Sequence, residues 1–289
     1  MILLDLNQVM ISNLMMSFGR NDTTVNEDLI RHMVLNSIRL YRNKFSQDFG
    51  SELVICCDDK NYWRKDIFPY YKAHRKSDRE KSTLDWNRIF EVLNKIRDEL
   101  KENFPYKVIQ IDRAEADDII GTLCAHKGVY LTNESTEDIL IISGDKDFAQ
   151  LQKYANVQQY SPITKKWIRI NNPEAFLREH VMRGDRGDGI PNMLSGDSCL
   201  VTDGTRQKPL TTKKLNTWIT LDPKDFCDEM MLRNYMRNEA LINLDLIPSE
   251  IKEKILDKYE TYEVPERKGL LNYFIKSKLK NLIENIGEF

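Results

Sequence analysis

Short apolar, β-branched runs alternate with longer stretches of helical period up to about residue 160, which predicts an α/β fold with a mostly parallel central sheet flanked by helices. Ile2–Leu4 reads as a first strand ending at Asp5, and Leu53–Cys57 as a second ending at Asp58. Val108–Ile111 reads as a third, and Ile139–Ile142 as a fourth that runs into Ser143-Gly144-Asp145-Lys146-Asp147. Between the first two, Ile30, Met33, Val34, Ile38, Tyr41 and Phe45 mark one face of a helix, with Thr24-x-x-Glu27 as a capping box at its start. Ile89, Phe90, Leu93, Ile96 and Leu100 repeat that period after Ser82-x-x-Asp85, a second N-terminal signature. Val157–Tyr160 and Trp167–Ile170 predict a hairpin at the sheet's edge. Beyond Pro173 the pattern changes: Gly and polar residues concentrate in Arg183–Gly204, and the chain then reads as helical to its end. The expected organisation is an α/β domain over 1–182 and a smaller helical domain over 183–289.

Composition narrows the class. The 289 residues are 41% hydrophobic and 30% charged, with 12 Gly and 9 Pro, as in a folded rather than a disordered chain. No run approaches the roughly 20 apolar residues of a membrane span, and Met1–Leu4 has no basic leader. Five cysteines without CxxC spacing argue against both a disulfide framework and a zinc site. A cytoplasmic monomer with no membrane partner is expected.

The candidate chemistry sits at the strand ends. Ligands of open parallel sheets bind beyond the carboxyl ends of the strands, and Asp5, Asp58 and Asp145 each directly follow a buried strand. Glu115, Asp117 and Asp118 follow the third after a short gap. One such Asp is more often a helix cap. Acids at four ends of one sheet are harder to explain that way, because packed carboxylates repel unless a cation compensates them. Oxygen-only donors favour Mg²⁺ over zinc or softer metals, and two ions about 4 Å apart suit phosphodiester hydrolysis. If Glu115 and Asp117 both reach metal, the helix begins near Asp117 with Glu115 in the loop before it, and Asp118 is then a ligand or a cap.

Asp5, Asp58, Glu115-Ala-Asp117-Asp118, Gly144-Asp145-Lys-Asp147-Phe148 and Gly184-Asp185-Arg-Gly-Asp188 together resemble the 5′-nuclease (flap endonuclease) superfamily, and within it the ribonuclease H branch of T-even-type phages. Tyr62-Trp63-Arg64-Lys65-Asp66, Tyr70-Tyr71-Lys72-x-x-Arg75 and Asp85-Trp86 extend the likeness over nearly the whole chain. The resemblance implies a Mg²⁺-dependent 5′-3′ exonuclease and flap endonuclease, with Mn²⁺ as a substitute. Its substrates would be RNA–DNA hybrid, flap and duplex DNA, and its task the removal of RNA primers and adjacent DNA in lagging-strand replication. Carried over by position, it puts metal ligation on Asp5, Asp58, Glu115, Asp117, Asp118, Asp145, Asp147 and Asp188. Lys72 and Arg75 match a pair that contacts the scissile phosphate, and their spacing puts them on one helix face. Arg64 falls in a family motif and is a candidate phosphate contact. Residues 60–81, with eight Lys/Arg against three acids, Tyr62, Trp63, Tyr70 and Tyr71, match an arch over the site and suit a single-stranded 5′ end.

One departure concerns duplex binding. Family members follow the last Asp with Asn and a glycine-rich helix–hairpin–helix; here Gly189 stands there and Ile190–Leu215 lacks the Gly-x-Gly turn. Arg206, Lys208, Lys213 and Lys214 become the candidate duplex contacts. The net charge of −2 does not suggest nucleic acid, but without the eight assigned acids it becomes +6. Arg267–Lys280 adds five cations and no acid. The apolar, basic segment Leu270–Phe289 is open to docking a sliding clamp or a single-strand-binding protein. Three other readings compete: a catalytically silent nucleic-acid-binding module, an aspartyl-phosphate phosphatase and a structural Ca²⁺ site. The phosphatase wants Asp where Asn7 stands, and the Ca²⁺ site lacks its terminal Glu.

Overall fold

The structure is a computed structural model and describes residues 1–18, 24–128 and 137–289. Six strands form one sheet in the order β3-β2-β1-β4-β5-β6. They are β1 Ile2–Asp5, β2 Leu53–Cys57, β3 Lys107–Gln110, β4 Ile139–Ile142, β5 Val157–Ser161 and β6 Lys166–Ile168. All pairings are parallel except β5 with β6, the predicted edge hairpin. The third strand lies one residue earlier than the sequence reading put it.

Strand alternation divides the core in two. Ile2, Leu4, Ile55, Val108, Leu140 and Ile142 pack with α1 (Leu6–Ser17), α2 (Glu27–Phe49) and α5 (Trp86–Asn103). Leu3, Val54, Ile109, Ile139 and Ile141 face the other way, onto α6 (Ala116–Lys127) and α11 (Ser249–Glu260). Each such side chain, shut off from water, contributes about 1.5–3 kcal/mol of burial. Two caps differ from expectation. Asn26, not Thr24, caps α2 by accepting from Leu29 N at 3.0 Å, and Asp85, not Ser82, caps α5 by accepting from Arg88 N at 3.0 Å. In both, the polar residue adjacent to the first turn reaches its free N–H groups first.

A third core ties the basic 60–81 segment to the C-terminal half. This segment holds two short helices, α3 (Arg64–Ile67) and α4 (His74–Glu80). Phe68 and Tyr71 between them are buried against Val181 and Met182 of α7 (Pro173–Arg183), Ile190, Met193, and residues of α8 (Thr212–Trp218) and α10 (Glu229–Ile242). The short α9 (Pro223–Phe226) stacks Phe226 on Trp218 at 5.0 Å. Helix α7 carries the chain past residue 182, and residues after 243 return to the sheet on both faces.

The C-terminal segment is part of that return. Leu270, Tyr273 and Phe274 of α12 (Leu270–Lys276), Leu282 of α13 (Lys280–Ile283) and Phe289 are all buried beside Phe104 in the first core. These apolar side chains are used inside the protein, and Arg267 donates to the carbonyls of Ile286 and Gly287. Among the described residues no helix is long and apolar enough to cross a membrane.

Candidate metal centre

The chain reverses direction across the sheet at β1, which pairs with both β2 and β4. The carboxyl ends at that reversal are where a parallel sheet leaves a crevice. Asp5 ends β1; its Oδ1 accepts from Gln8 N at 3.1 Å and its Oδ2 from Ser143 Oγ at 3.0 Å. Asp58 follows β2 and accepts from Ala116 N at 2.7 Å and from the Asn7 amide. Asp145 follows β4, and its Oδ1 accepts from Asp147 N at 3.0 Å, opening a 3₁₀ turn over Lys146–Lys153. Capping and clustering are therefore one arrangement: the caps aim the acids at a shared edge.

Glu115 is the N-cap of α6, outside the helix, and Asp117 lies in its first turn, so the two reach the same side as the sequence reading required. Asp117 is half-buried in that first turn. Burial raises its carboxyl well above the ordinary range, with Asp145, Glu115 and Asp5 adding to the effect. Burial and then Asp58 push Asp5 up to about 7. Burial likewise raises Asp58, Asp145 and Asp147, the last with Asp145, Asp185 and Asp188 adding to it. Such a set calls for a cation.

Part of that charge comes from the protein itself. Lys72 Nζ lies 2.5 Å from Glu115 Oε1 and 3.5 Å from Asp188 Oδ1, and Arg75 Nη2 lies 2.8 Å from Asp188 Oδ1. Burial alone would raise Glu115, but Lys72 and Arg64 outweigh it and hold the carboxyl low. The two cations do not share a helix face. Lys72 sits in a left-handed turn at φ 55°, fixed by its N–H donating to Asp188 O at 2.7 Å, whereas Arg75 is on α4. With this geometry at 72 the chain enters α4 while the lysine reaches back to Glu115. The adjoining Gly189 has φ 74°, and a Cβ there would stand 3.0 Å from Tyr70 O. The glycine lets the two segments approach.

Two residues assigned from the sequence are elsewhere. Arg64 is only 3% exposed; it donates to Glu115 Oε2 at 2.9 Å, Asp118 Oδ2 at 3.1 Å and Leu241 O at 2.8 Å, so its guanidinium faces inward rather than toward a phosphate. Asp118, fully buried, accepts from Glu115 N at 2.9 Å as the return half of a capping box and from Trp63 Nε1 at 3.0 Å. Its geometry is that of a cap and counter-charge, not of a ligand. Arg206, Lys208, Lys213 and Lys214 are exposed. Arg206 lines a cavity of about 920 Å³ with His74, Arg186 and Gly187, and Lys213 and Lys214 stand on α8.

The sequence reading missed several neighbours. Tyr71 OH joins the two halves of the site, 2.9 Å from Glu115 Oε2 and 3.0 Å from Asp188 Oδ2. Asp185, three residues before Asp188, lies at the site as well, 3.0 Å from Lys146 Nζ and 3.3 Å from His180 Nε2. His180 gave no signal at all. Among the described residues, one donor atom each from Asp147, His180 and Asp185 lie within 4.8 Å of one another. The buried Asp147 Oδ1 and His180 Nδ1 have no hydrogen-bond partner. Oxygen-rich donors, raised carboxyls and bare buried acceptors fit divalent cations.

Cations poised over converging carboxylates define a hydrolase acting on phosphate esters. Sequence comparison gives the family. The model of the 5′-3′ exonuclease N-terminal, resolvase-like domain matches residues 3–181, and that of the T4 RNase H C-terminal region matches residues 172–289. The chain belongs to this family of 5′-3′ exonucleases, in the branch with a ribonuclease H-type C-terminal region, and is a nuclease. It is 35% identical to the ribonuclease H of Enterobacteria phage T4 over 99% of this chain and 95% of that protein. A flap endonuclease Xni of Shewanella sp. strain MR-4 is 29% identical over 48% of this chain and 51% of its own. Among solved structures, the T5 D15 protein co-crystallized with metal ions superposes with a TM-score of 0.65 at 17% identity, covering 91% of this chain and 99% of the other. The T5 D15 flap endonuclease in a pseudo-enzyme-product complex with DNA and metal ions gives 0.62, also at 17% identity, covering 90% and 97%.

Proposed function

We propose that the protein is a Mg²⁺-dependent 5′-3′ exonuclease and flap endonuclease that acts on RNA–DNA hybrid and duplex DNA, removing RNA primers and adjacent DNA during lagging-strand replication. Mn²⁺ substitutes for Mg²⁺ in this reading. The observation that carries it is the meeting of acids from four strand ends beneath Lys72 and Arg75. The names of its relatives, a ribonuclease H and flap endonucleases, supply the substrate class.

Asp5, Asp58, Glu115, Asp117, Asp145, Asp147 and Asp188 would hold two ions, directly or through water. The ions supply compensation for the clustered acids and Lewis-acid stabilisation of the attacking and leaving oxygens. Lys72 and Arg75 bind the scissile phosphate and oppose the charge that grows on it in the transition state. Tyr71 keeps Glu115 and Asp188 in register across the two halves of the site, and Arg64 positions Glu115 from within. Hydrolysis breaks the P–O3′ bond and leaves a 5′-phosphate and a 3′-hydroxyl. The exposed bases Arg206, Lys208, Lys213 and Lys214 would contact duplex phosphates behind the cut.

End-group analysis tests this reading. Cleavage of a 5′-labelled flap and of a labelled RNA–DNA hybrid should release products starting from the 5′ end, with new 5′-phosphates. Products shortened from the 3′ end, or carrying 3′-phosphates, would overturn it.

A further inference from the structure

The period of α4 gives it two working faces. His74 and Asp78, four residues apart, line the cavity that Arg206 also lines. Arg75 and Arg79, likewise four apart, share the adjoining face and stand about 6 Å from each other along the axis. Arg75 is at the acids, where it meets Asp188. Arg79 is one turn further on and meets α5: its Cζ stands over the Phe90 ring, 5.3 Å from the centre. Phe90 in turn lies against Trp86, with ring centres 5.7 Å apart and planes inclined at 36°. Trp86, Phe90 and Arg79 thus form a column that begins on α5 and ends in a cation on α4.

Anchoring α4 on α5 does not call for a bare charge at the end of that column. Among the described residues Arg79 pairs with no carboxylate and donates no side-chain hydrogen bond, whereas Arg88 and Arg97 of α5 pair with Glu27, Glu91 and Asp98. Phe90 keeps 37% of its surface exposed. A guanidinium is a flat cation that stacks on a nucleobase while its N–H groups hold a phosphate. Trp63 and Tyr71 of the 60–81 segment are buried and offer no ring to a passing strand, so α5 adds aromatic surface that they cannot.

We propose that Arg79, backed by Phe90 and Trp86, is a stacking subsite for a nucleobase of the single strand on the 5′ side of the cut. A strand held at its scissile phosphate by Arg75 and running along the same face of α4 reaches Arg79 within about one nucleotide. The base then adds the next layer to the column, and the edge of the guanidinium meets the adjacent phosphate. Arg206, a candidate duplex contact, lies on the other face, so the subsite favours substrates with an unpaired 5′ end over nicked duplex. This rests on the nuclease reading above and gives its flap preference a residue-level basis.

The test measures binding of the full chain in EDTA, so that no substrate is cut. Three labelled DNAs are compared: a 5′-flap duplex, the same flap with abasic nucleotides next to the junction, and the nicked duplex without a flap. The wild type should bind the ordinary flap at least about fivefold more tightly than the abasic one. Arg79→Lys keeps the charge but loses the plane, and Phe90→Leu keeps apolar bulk but loses the ring. Each should weaken ordinary-flap binding by about fivefold or more, with the abasic flap and the nicked duplex changed less than about twofold. Phe90→Trp, which keeps a ring, should bind like the wild type. Thermal unfolding establishes that each variant is folded, and the abasic comparison on the wild type needs no variant. Equal wild-type affinity for the two flaps, or an equal loss on both flaps in the variants, would reduce the column to an anchor and overturn the proposal. Failure of the wild type to bind any of the three DNAs would instead remove the functional reading on which it rests, and the proposal with it.

Discussion

Arg64 Nη2 lies 2.8 Å from Asp118 Oδ1, with both side chains closed off from solvent. The pair fixes the start of α6. Asp118 accepts from Glu115 N, and Arg64 reaches Glu115 Oε2, so the one glutamate of the acid cluster is held from inside. Removing the arginine strands two buried carboxylates. Arg64→Ala should destabilise the protein by about 3–5 kcal/mol, seen as a lower urea midpoint. An unchanged midpoint would contradict a buried, structural role and return Arg64 to the surface as a phosphate contact.

Lys72 and Arg75 should act on catalysis more than on folding. Each is one donor to the reacting phosphate, and loss of one such donor costs about 10²–10³ in kcat. Steady-state kinetics of Lys72→Ala and Arg75→Ala on a flap substrate measure this. Loss confined to KM would place both in ground-state binding alone.

Stability without metal should fall as pH rises through the mildly acidic range. Asp5 binds its proton up to about pH 7 when folded, against 3.8 ordinarily, so between those values the folded state holds more protons than the unfolded one. The group thus costs nothing below about pH 4 and at most about 4 kcal/mol by pH 7. Glu27 and Asp185, both held below the ordinary range, contribute in the opposite sense, and their stabilisation is lost only as pH falls below about 4. In EDTA, Tm should therefore drop between pH 5 and pH 7. Saturating Mg²⁺ should raise Tm more at pH 7 than at pH 5. A larger Mg²⁺ effect at pH 5 would be inconsistent with the protonation of the cluster described above.

Lys213 and Lys214 offer a separate test on duplex binding. They stand exposed on α8, with Lys214 Nζ 5.6 Å from the centre of the Trp218 ring. If both meet phosphates, the double alanine variant should weaken duplex affinity and flatten the slope of log K against log salt by about 2. An unchanged slope would remove these lysines from the interface.

What could be read from the sequence was local. Asp5, Asp58 and Asp145 follow strands whose apolar runs are unmistakable, and position after a parallel strand is enough to aim a side chain at the crevice. Glu115 and Asp117 could be placed because helix geometry forbids both from sharing one face unless the helix starts between them. Lys72 was assigned by resemblance, but its place off the helix face was not legible, because its left-handed φ depends on Asp188 O, more than a hundred residues away. The inward turn of Arg64 was hidden for a similar reason: a basic residue in a basic segment gives no sign that its partners are buried acids around another helix. His180 looks like any helical histidine until α7 packs against the 3₁₀ turn that carries Asp147. The C-terminal apolar residues read from the sequence only as a segment open to docking. Leu270, Tyr273, Phe274, Leu282 and Phe289 pack into the core beside Phe104, with Phe289 ring to ring at 5.6 Å, while Leu271 and Ile275 stay exposed.

The most direct test of the central claim is cleavage of a labelled 5′-flap and an RNA–DNA hybrid by the wild type, Asp117→Asn and Asp145→Asn, each with Mg²⁺ and with EDTA. The carboxylate-cluster account predicts cutting of both substrates by the wild type in Mg²⁺ alone. It also predicts a loss of about 10³-fold or more in either variant, from several kcal/mol of lost transition-state stabilisation, with substrate binding retained. Cutting that persists in EDTA, or survives in both variants, would contradict it.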